Sequence, residues 1–449
     1  MFKPIHELAR DLAAGRNTSV QLVAQALERI AEHQAKGGKA FLQVDADAAR
    51  NTAQASDLAR KAGVVPSPLA GIPISIKDLF DVRGQITTAG SKLLRDAPPA
   101  ASDAPVIARL KAAGAIIVGR TNMTEFAFSG LGLNPHYGTP LSPYREGGAR
   151  IAGGSSSGAA VSVAEGMAAM GLGTDTGGSV RIPAALCGLT GFKPTARRVP
   201  TEGAFPLSTT LDSIGPLART VTCCALCDAV LAGEPLVVPA PLPSKGLRLG
   251  IPQDVVLDDL DDSVARSFEQ VLSRMSQAGA ILSELATPEW RELPTINKHG
   301  GFSPIEAWAL HRERLTTRER EYDPRVAKRI KRGAAATAVD YLELRSARAA
   351  MIGQFETKAT DYDALLLPTL PVIAPLLEPL LHDEELYIDT NMRLLRNPSV
   401  INFLDGCAVT LPSHAANGAP IGMMLAAPAM HDHHLLRASL AVEQVLQAA

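Results

Sequence analysis

Two short stretches of the chain hold small hydroxyls inside runs of glycine. The first is Gly153-Gly154-Ser155-Ser156-Ser157-Gly158 and the second is Gly173-Thr174-Asp175-Thr176-Gly177-Gly178-Ser179. Glycine lets a backbone adopt positive φ or approach a ligand closely. Hydroxyls on such a backbone suit nucleophilic chemistry, and the adjacent N–H groups suit the stabilisation of a developing oxyanion. A phosphate loop would need Gly-Lys-Ser/Thr at its end, which neither stretch has. Gly171 to Gly177 is one residue too long for the dinucleotide fingerprint. Gly154-Ser155-Ser156-Ser157-Gly158 fits a five-residue nucleophile elbow centred on Ser156, with His414 as a downstream base.

Lys77 is the other residue able to do chemistry. It ends Ile72-Pro73-Ile74-Ser75-Ile76-Lys77-Asp78, where the isoleucines alternate and place Ser75 and Lys77 on the opposite face. A lysine there is costly unless it loses its proton or finds partners. One reading pairs it with Asp78 or another acid; the other makes it a desolvated base for a serine. None of the ten histidines falls in the Gly/Ser region.

The elements that must position these residues follow from periodicity and breakers. Residues 1–35 read as helical, with Thr18 and Gln21 as a capping box. A helix is expected over 46–62, then the strand of Lys77, a helix over 104–113 and a strand over 115–119. The small-residue run from Ala159 to Leu172 reads as a buried helix between the two Gly/Ser stretches. Leu211 to Leu217 reads as a turn or strand end and Val221 to Leu231 as a helix. The Pro-rich residues 233–246 read as a surface excursion. Strands are expected at 247–251, 364–367 and 421–425, and helices at 262–278 and 435–446. Residues 305–355 read as charged helix, and the basic cluster Lys328 to Arg332 as its solvated face. Strands spread from residue 72 to 425 predict one α/β sheet built from the whole chain, residues 1–449.

Composition bounds the rest. Of 449 residues 46% are apolar and 20% charged, with a net charge of −2, which gives no reason to expect nucleic acid or an anionic membrane as partner. The five cysteines are no disulfide framework, the N-terminus lacks the order of a signal peptide, and no apolar run is long enough to span a bilayer. A cytoplasmic protein is expected. Cys224 and Cys227 have metal-pair spacing but sit in an apolar helix pattern. In His431-Asp432-His433-His434, Asp432 reads as a cap of the last helix rather than as part of a metal site.

With these residues in view, the chain resembles the amidase signature hydrolases. The two Gly/Ser stretches, extended through Val180-Arg181-Ile182-Pro183-Ala184, are similar to the signature itself. Gly71 to Asp78, Gly119 to Phe126, Asp212 to Arg219 and Pro420 to Gly422 resemble further family segments. The likeness is strongest over a core of about residues 65–225 and weak over a variable helical region of about 233–355.

The resemblance implies a large, mixed, twisted central sheet covered by helices on both faces. It implies a triad of Ser179 as nucleophile, Ser155 as relay after a cis Gly154–Ser155 bond, and Lys77 as base. The N–H groups of Thr176, Gly177, Gly178 and Ser179 would form the oxyanion hole. Asp175, with Ser156 or Ser157, would fix the loop, and Asp212 would support it. Arg181 would pair with a protein acid or bind a substrate carboxylate. Asn122, Met123, Phe126, Tyr137 and Phe205 are candidate pocket walls. No metal or cofactor is implied, the partner is a small amide, and a homodimer is compatible with the pattern. The implied reaction is hydrolysis of a carboxamide to a carboxylate and ammonia or an amine. Two alternatives stand beside it: the A subunit of a tRNA-dependent amidotransferase, and a catalytically silent protein of the same fold.

Overall fold

The computed structural model describes residues 2–415 and 418–448; Met1, at the head of the expected N-terminal helix, lies outside them. Eleven strands form one sheet: β1 (Phe41–Val44), β2 (Pro73–Lys77), β3 (Ile116–Thr121), β4 (Met170–Asp175), β5 (Thr190–Lys193), β6 (Ser213–Ala218), β7 (Arg248–Pro252), β8 (Ile281–Leu285), β9 (Ala364–Pro368), β10 (Cys407–Pro412) and β11 (Gly422–Ala427). Their spatial order is β1-β3-β2-β4-β6-β5-β10-β11-β9-β7-β8.

The sheet is mixed. β2 runs parallel to β3 and β4, and β7 parallel to β8 and β9, while the pairs through β6, β5, β10 and β11 are antiparallel. The parallel neighbours need crossovers, and helices Pro105–Ala112 and Asp262–Gln277 lie in two of them. Every residue of β2, β4, β6 and β11 is buried, so the interior of the sheet is covered by helices on both faces. This is the large mixed α/β sheet that the resemblance implied.

Several local expectations change. Residues 5–35 form two helices, Ile5–Ala13 and Ser19–Ala35, because Gly15 turns the chain at positive φ. The Thr18–Gln21 capping box starts the second. The run from Ala159 to Leu172 is not one helix. Ser157–Ala164 is helical, Gly166 at φ +73° ends it, and β4 follows. Ser213–Ala218 is a full strand. The region 233–355 contributes β8, an edge strand, as well as the expected β7. Its charged part forms helices Phe302–Arg318, Pro324–Lys331 and Ala338–Ala359.

Asp432 is the first residue of its helix rather than the cap. It accepts hydrogen bonds from Thr195 N (2.8 Å) and Thr195 Oγ1 (2.7 Å), tying the last helix to the end of β5. His433 and His434 turn to different acids, Glu234 and Asp363. All five cysteines are buried and unpaired, and burial raises the thiol pKa values of Cys224 and Cys227. Among the described residues no helix is long and apolar enough to cross a membrane.

Candidate active site

The alternation in β2 buries Ile72, Ile74 and Ile76 on one face. Ser75 and Lys77 point to the other, where Ser75 Oγ and Ser162 Oγ lie 2.7 Å apart and dock helix Ser157–Ala164 on the strand. β4 runs beside β2 in a register that pairs Ile76 with Leu172, so the ends of the two parallel strands meet. Lys77 Nζ donates to Ser155 Oγ and to Thr174 Oγ1, each at 2.8 Å. Asp78 is not its partner: its carboxylate takes Arg120 Nε at 2.7 Å. Lys77 is fully buried, and among the described residues no carboxylate is in contact with it. Burial lowers its pKa to about 7, against the charges of Asp212 and Asp175, which raise it.

The first Gly/Ser stretch wraps the start of helix Ser157–Ala164. The Gly154–Ser155 peptide is cis. Gly158 packs so tightly that a Cβ there would lie 2.3 Å from Ala40 O. Ser156 N donates to Ser179 O at 3.3 Å, which joins the two stretches. Ser156 Oγ donates to Thr174 O (3.3 Å), whereas Ser157 Oγ is buried without a hydrogen-bond partner, so only Ser156 braces the loop. The nucleophile-elbow reading fails here. Ser156 is fully buried, and His414 Nδ1 accepts from Ile421 N at 3.4 Å near the far end of β10.

Asp175, at the end of β4, organises the second stretch. It accepts from Gly178 N (2.8 Å), Val180 N (3.1 Å), Asn402 Nδ2 (2.9 Å), Arg181 Nε (3.0 Å) and Arg181 Nη2 (2.9 Å). Burial pushes this carboxyl up, but the Arg181 charge and these hydrogen bonds prevail and hold it well below the usual carboxylate range. Arg181 is fully buried and spent on Asp175 and Asn402, so it is not open to a substrate carboxylate. Gly178 sits at φ +128° with Pro398 Cβ 2.7 Å from where its own Cβ would be.

Gly178 N is committed to Asp175 and drops out of the expected oxyanion set. Among the described residues, the N–H groups of Thr176, Gly177 and Ser179 have no hydrogen-bond partner. Ser179 Oγ likewise has none, and no hydrogen bond joins it to Ser155 Oγ. Asp212 accepts from Thr176 Oγ1, Leu207 N (2.9 Å) and Ser208 N (3.1 Å). Burial raises its pKa to about 6.

Ser179, Thr176 and Gly177 open into a cavity of about 740 Å³. The expected walls are elsewhere. Asn122 and Met123 are fully buried, and Asn122 Nδ2 ties Lys39 O (3.0 Å) to Gly138 O (2.8 Å). Tyr137 OH reaches Ser91 O at 3.4 Å, outside this cavity. Phe126 and Phe205 stack with His311 and Tyr322 behind it. The walls come instead from Phe128, from Trp290 and Phe302, from Arg329 and Arg332, and from Leu395 to Phe403. The charge pattern alone presents Lys328 to Arg332 as one solvated face. Lys328 and Lys331 do pair outward with Glu384 and Glu319, but Arg329 and Arg332 line the cavity. The buried residues Val326 and Ile330, four apart on that helix, mark the inward face and were the available signal.

The chain is similar to known proteins in sequence and in fold. The chain is 37% identical over 441 residues to the 2-amino-5-chloromuconic acid deaminase of Comamonas testosteroni, covering 96% of this chain and 95% of that one. It is 34% identical to the A subunit of the glutamyl-tRNA(Gln) amidotransferase of Roseiflexus castenholzii, covering 98% and 96%. A crystal structure of an amidase superposes with a TM-score of 0.88 at 31% identity, covering 98% and 99%. The model of the amidase family matches residues 21–436, and the chain belongs to that family.

Proposed function

We propose that this amide-cleaving hydrolase works through a Ser179 acyl-enzyme, with Ser155 as proton relay and Lys77 as base. The observation that carries the reading is the Lys77 Nζ–Ser155 Oγ hydrogen bond, made by a fully buried lysine that touches no carboxylate among the described residues. A lysine of pKa about 7 is largely neutral just above neutrality and can accept a proton.

In the reaction Ser179 Oγ attacks the amide carbon. Its proton passes to Ser155, whose own proton passes to Lys77. The carbonyl oxygen becomes an oxyanion held by the free N–H groups of Thr176, Gly177 and Ser179. The relay runs back to protonate the leaving nitrogen, the C–N bond breaks, and ammonia or an amine departs. Water deprotonated through the same relay then cleaves the ester, and the carboxylic acid leaves. Closure of the Ser155–Ser179 hydrogen bond accompanies substrate binding, since catalytic hydrogen bonds commonly tighten only in the complex. Asp175 and Asp212 hold the loop; they do not touch the reacting atoms.

A serine-directed phosphonate followed by peptide mass mapping tests the reading. An adduct on Ser179 is expected. Its absence would leave a silent protein of the same fold, and an adduct on Ser156 would revive the elbow.

The likeness to the A subunit of an amidotransferase supports a second reading, in which released ammonia passes to a partner. Ammonia release from simple amides by the purified chain alone favours the free-standing hydrolase; release only with a partner chain present favours the amidotransferase.

A further inference from the structure

Six basic side chains line the Ser179 cavity and one acid, Asp258, faces them. Three of the six are accounted for. Arg291 pairs with Asp254 and Asp258, Lys298 with Asp340, and Arg393 with Asp261. Among the described residues no carboxylate lies within ion-pair distance of Arg329, Arg332 or Arg396. An arginine cannot discard its charge as a lysine can, so the half-buried Arg329 and Arg396, together with the exposed Arg332, present unpaired positive charge to an anion entering the cavity.

The three come from two separate parts of the chain. Arg329 and Arg332 are three apart at the end of helix Pro324–Lys331, hence on one side of it. Arg329 makes no hydrogen bond among the described residues, and its guanidinium lies 4.8 Å from the centroid of the Phe128 ring, which fixes it facing the cavity. Arg396 belongs to helix Glu384–Phe403. Its Nε donates to Asn397 Oδ1 at 3.0 Å, while its Nη2 is buried with no hydrogen-bond partner among the described residues. Asp258 and Asp259 face Arg396 from the neighbouring loop beyond ion-pair distance, and Asp258 is already engaged by Arg291. On the helix of Arg396, Leu395 and Ser399 pack over Gly177: a Cβ built there would lie 3.4 Å and 3.9 Å from them.

We infer that this cavity is a two-pole anion site, shaped for a small amide bearing two carboxylates, one held at Arg329–Arg332 and the other at Arg396. Planar guanidinium forks match carboxylate geometry, and a volume of about 740 Å³ is that of a small-molecule pocket. The inference rests on the proposed hydrolase reading only in taking the ligand to be the substrate.

Binding of glutarate, butyrate and butyramide to the full-length chain, read by calorimetry and thermal shift, tests it without turnover. Glutarate is expected to bind about tenfold or more tighter than butyrate, and butyrate tighter than butyramide. Arg329→Gln and Arg396→Gln are each expected to bring glutarate down to the level of butyrate. Should either variant fail to fold by circular dichroism, Arg329→Lys and Arg396→Lys replace them. A wild-type glutarate affinity that falls with added salt supports the same conclusion. Equal binding of the three compounds, or glutarate binding indifferent to both substitutions, overturns the inference. Glutarate binding without a phosphonate adduct on Ser179 would keep the anion site and sink the hydrolase reading instead.

Discussion

Behind the Ser179 side of the cavity the buried titratable side chains have protein partners: Lys77 with Ser155 and Thr174, Asp78 with Arg120, Asp175 with Arg181. Elsewhere around the cavity, among residues 290–400, three arginines have no acid within ion-pair distance among the described residues. The first region is built from β2, β4 and the turns that leave them, where hydrogen-bond geometry is fixed by strand register. The second is built from helices of the variable region and from helix Glu384–Phe403. The contrast separates two tasks. Groups that hold the loop, such as Asp175 and Asp212, are saturated by hydrogen bonds within the protein. Groups that recognise a ligand are left open until it binds.

The comparison can be broken in order of expected effect. Ser179→Ala or Lys77→Ala should lower kcat by about 10⁴ or more, since residues of a relay act as a unit; a steady-state assay retaining a tenth of wild-type rate in either would refute the roles given to them. Asp175→Asn leaves Arg181 as an uncompensated buried charge and should destabilise the fold by about 3–5 kcal/mol. Urea unfolding reads this, and an unchanged midpoint would show that the loop is held by other contacts.

Glu306 tests whether the two regions are joined. It accepts from Ser208 Oγ (2.6 Å), Thr210 N (3.1 Å), Thr210 Oγ1 and Tyr341 OH (2.9 Å), and so clamps the turn whose Leu207 and Ser208 N–H groups hold Asp212. Asp212 in turn holds Thr176. Glu306→Gln should lower kcat by about tenfold, the loss of one or two charged hydrogen bonds. A change confined to KM would detach this turn from the oxyanion loop. At the small end, Lys328→Ala removes only an exposed pair with Glu384 and should change stability by less than about 1 kcal/mol and kcat/KM not at all. A loss of activity there would mean that the outward face of the helix also recognises substrate.

How far this was legible in sequence follows the same division. The period of two in Ile72, Ile74 and Ile76 set Lys77 on the face away from the isoleucines because that signal is local, whereas the Gly/Ser stretches alone pointed to Ser156, and Ser155 and Ser179 came only from the family resemblance. Thr174 as the second partner of Lys77 was not legible, since it depends on the register between β2 and β4. Gly178 was assigned to the oxyanion set although Asp175 takes its N–H, a contact set by how the loop folds back. The β4 strand was hidden in a run of small residues with no period, and Gly166 was the stop signal passed over. The pocket walls were misplaced to Asn122, Met123 and Tyr137 because polar and aromatic content does not say which way a loop faces. Arg329 and Arg396 come from helices far apart in sequence, and only packing makes them face one cavity.

The rate of Ser179 labelling by a phosphonate, followed against pH in the wild-type chain and in Lys77→Ala, tests the central claim most directly. Because burial lowers the Lys77 pKa to about 7, the neutral base is present above that value and lost as pH falls through it. The wild-type rate should therefore drop about tenfold per pH unit below pH ~6, and the variant should be slow at every pH. A wild-type rate that stays flat down to pH ~5, or a variant that labels as fast as wild type, would contradict a neutral Lys77 as the base that activates Ser179.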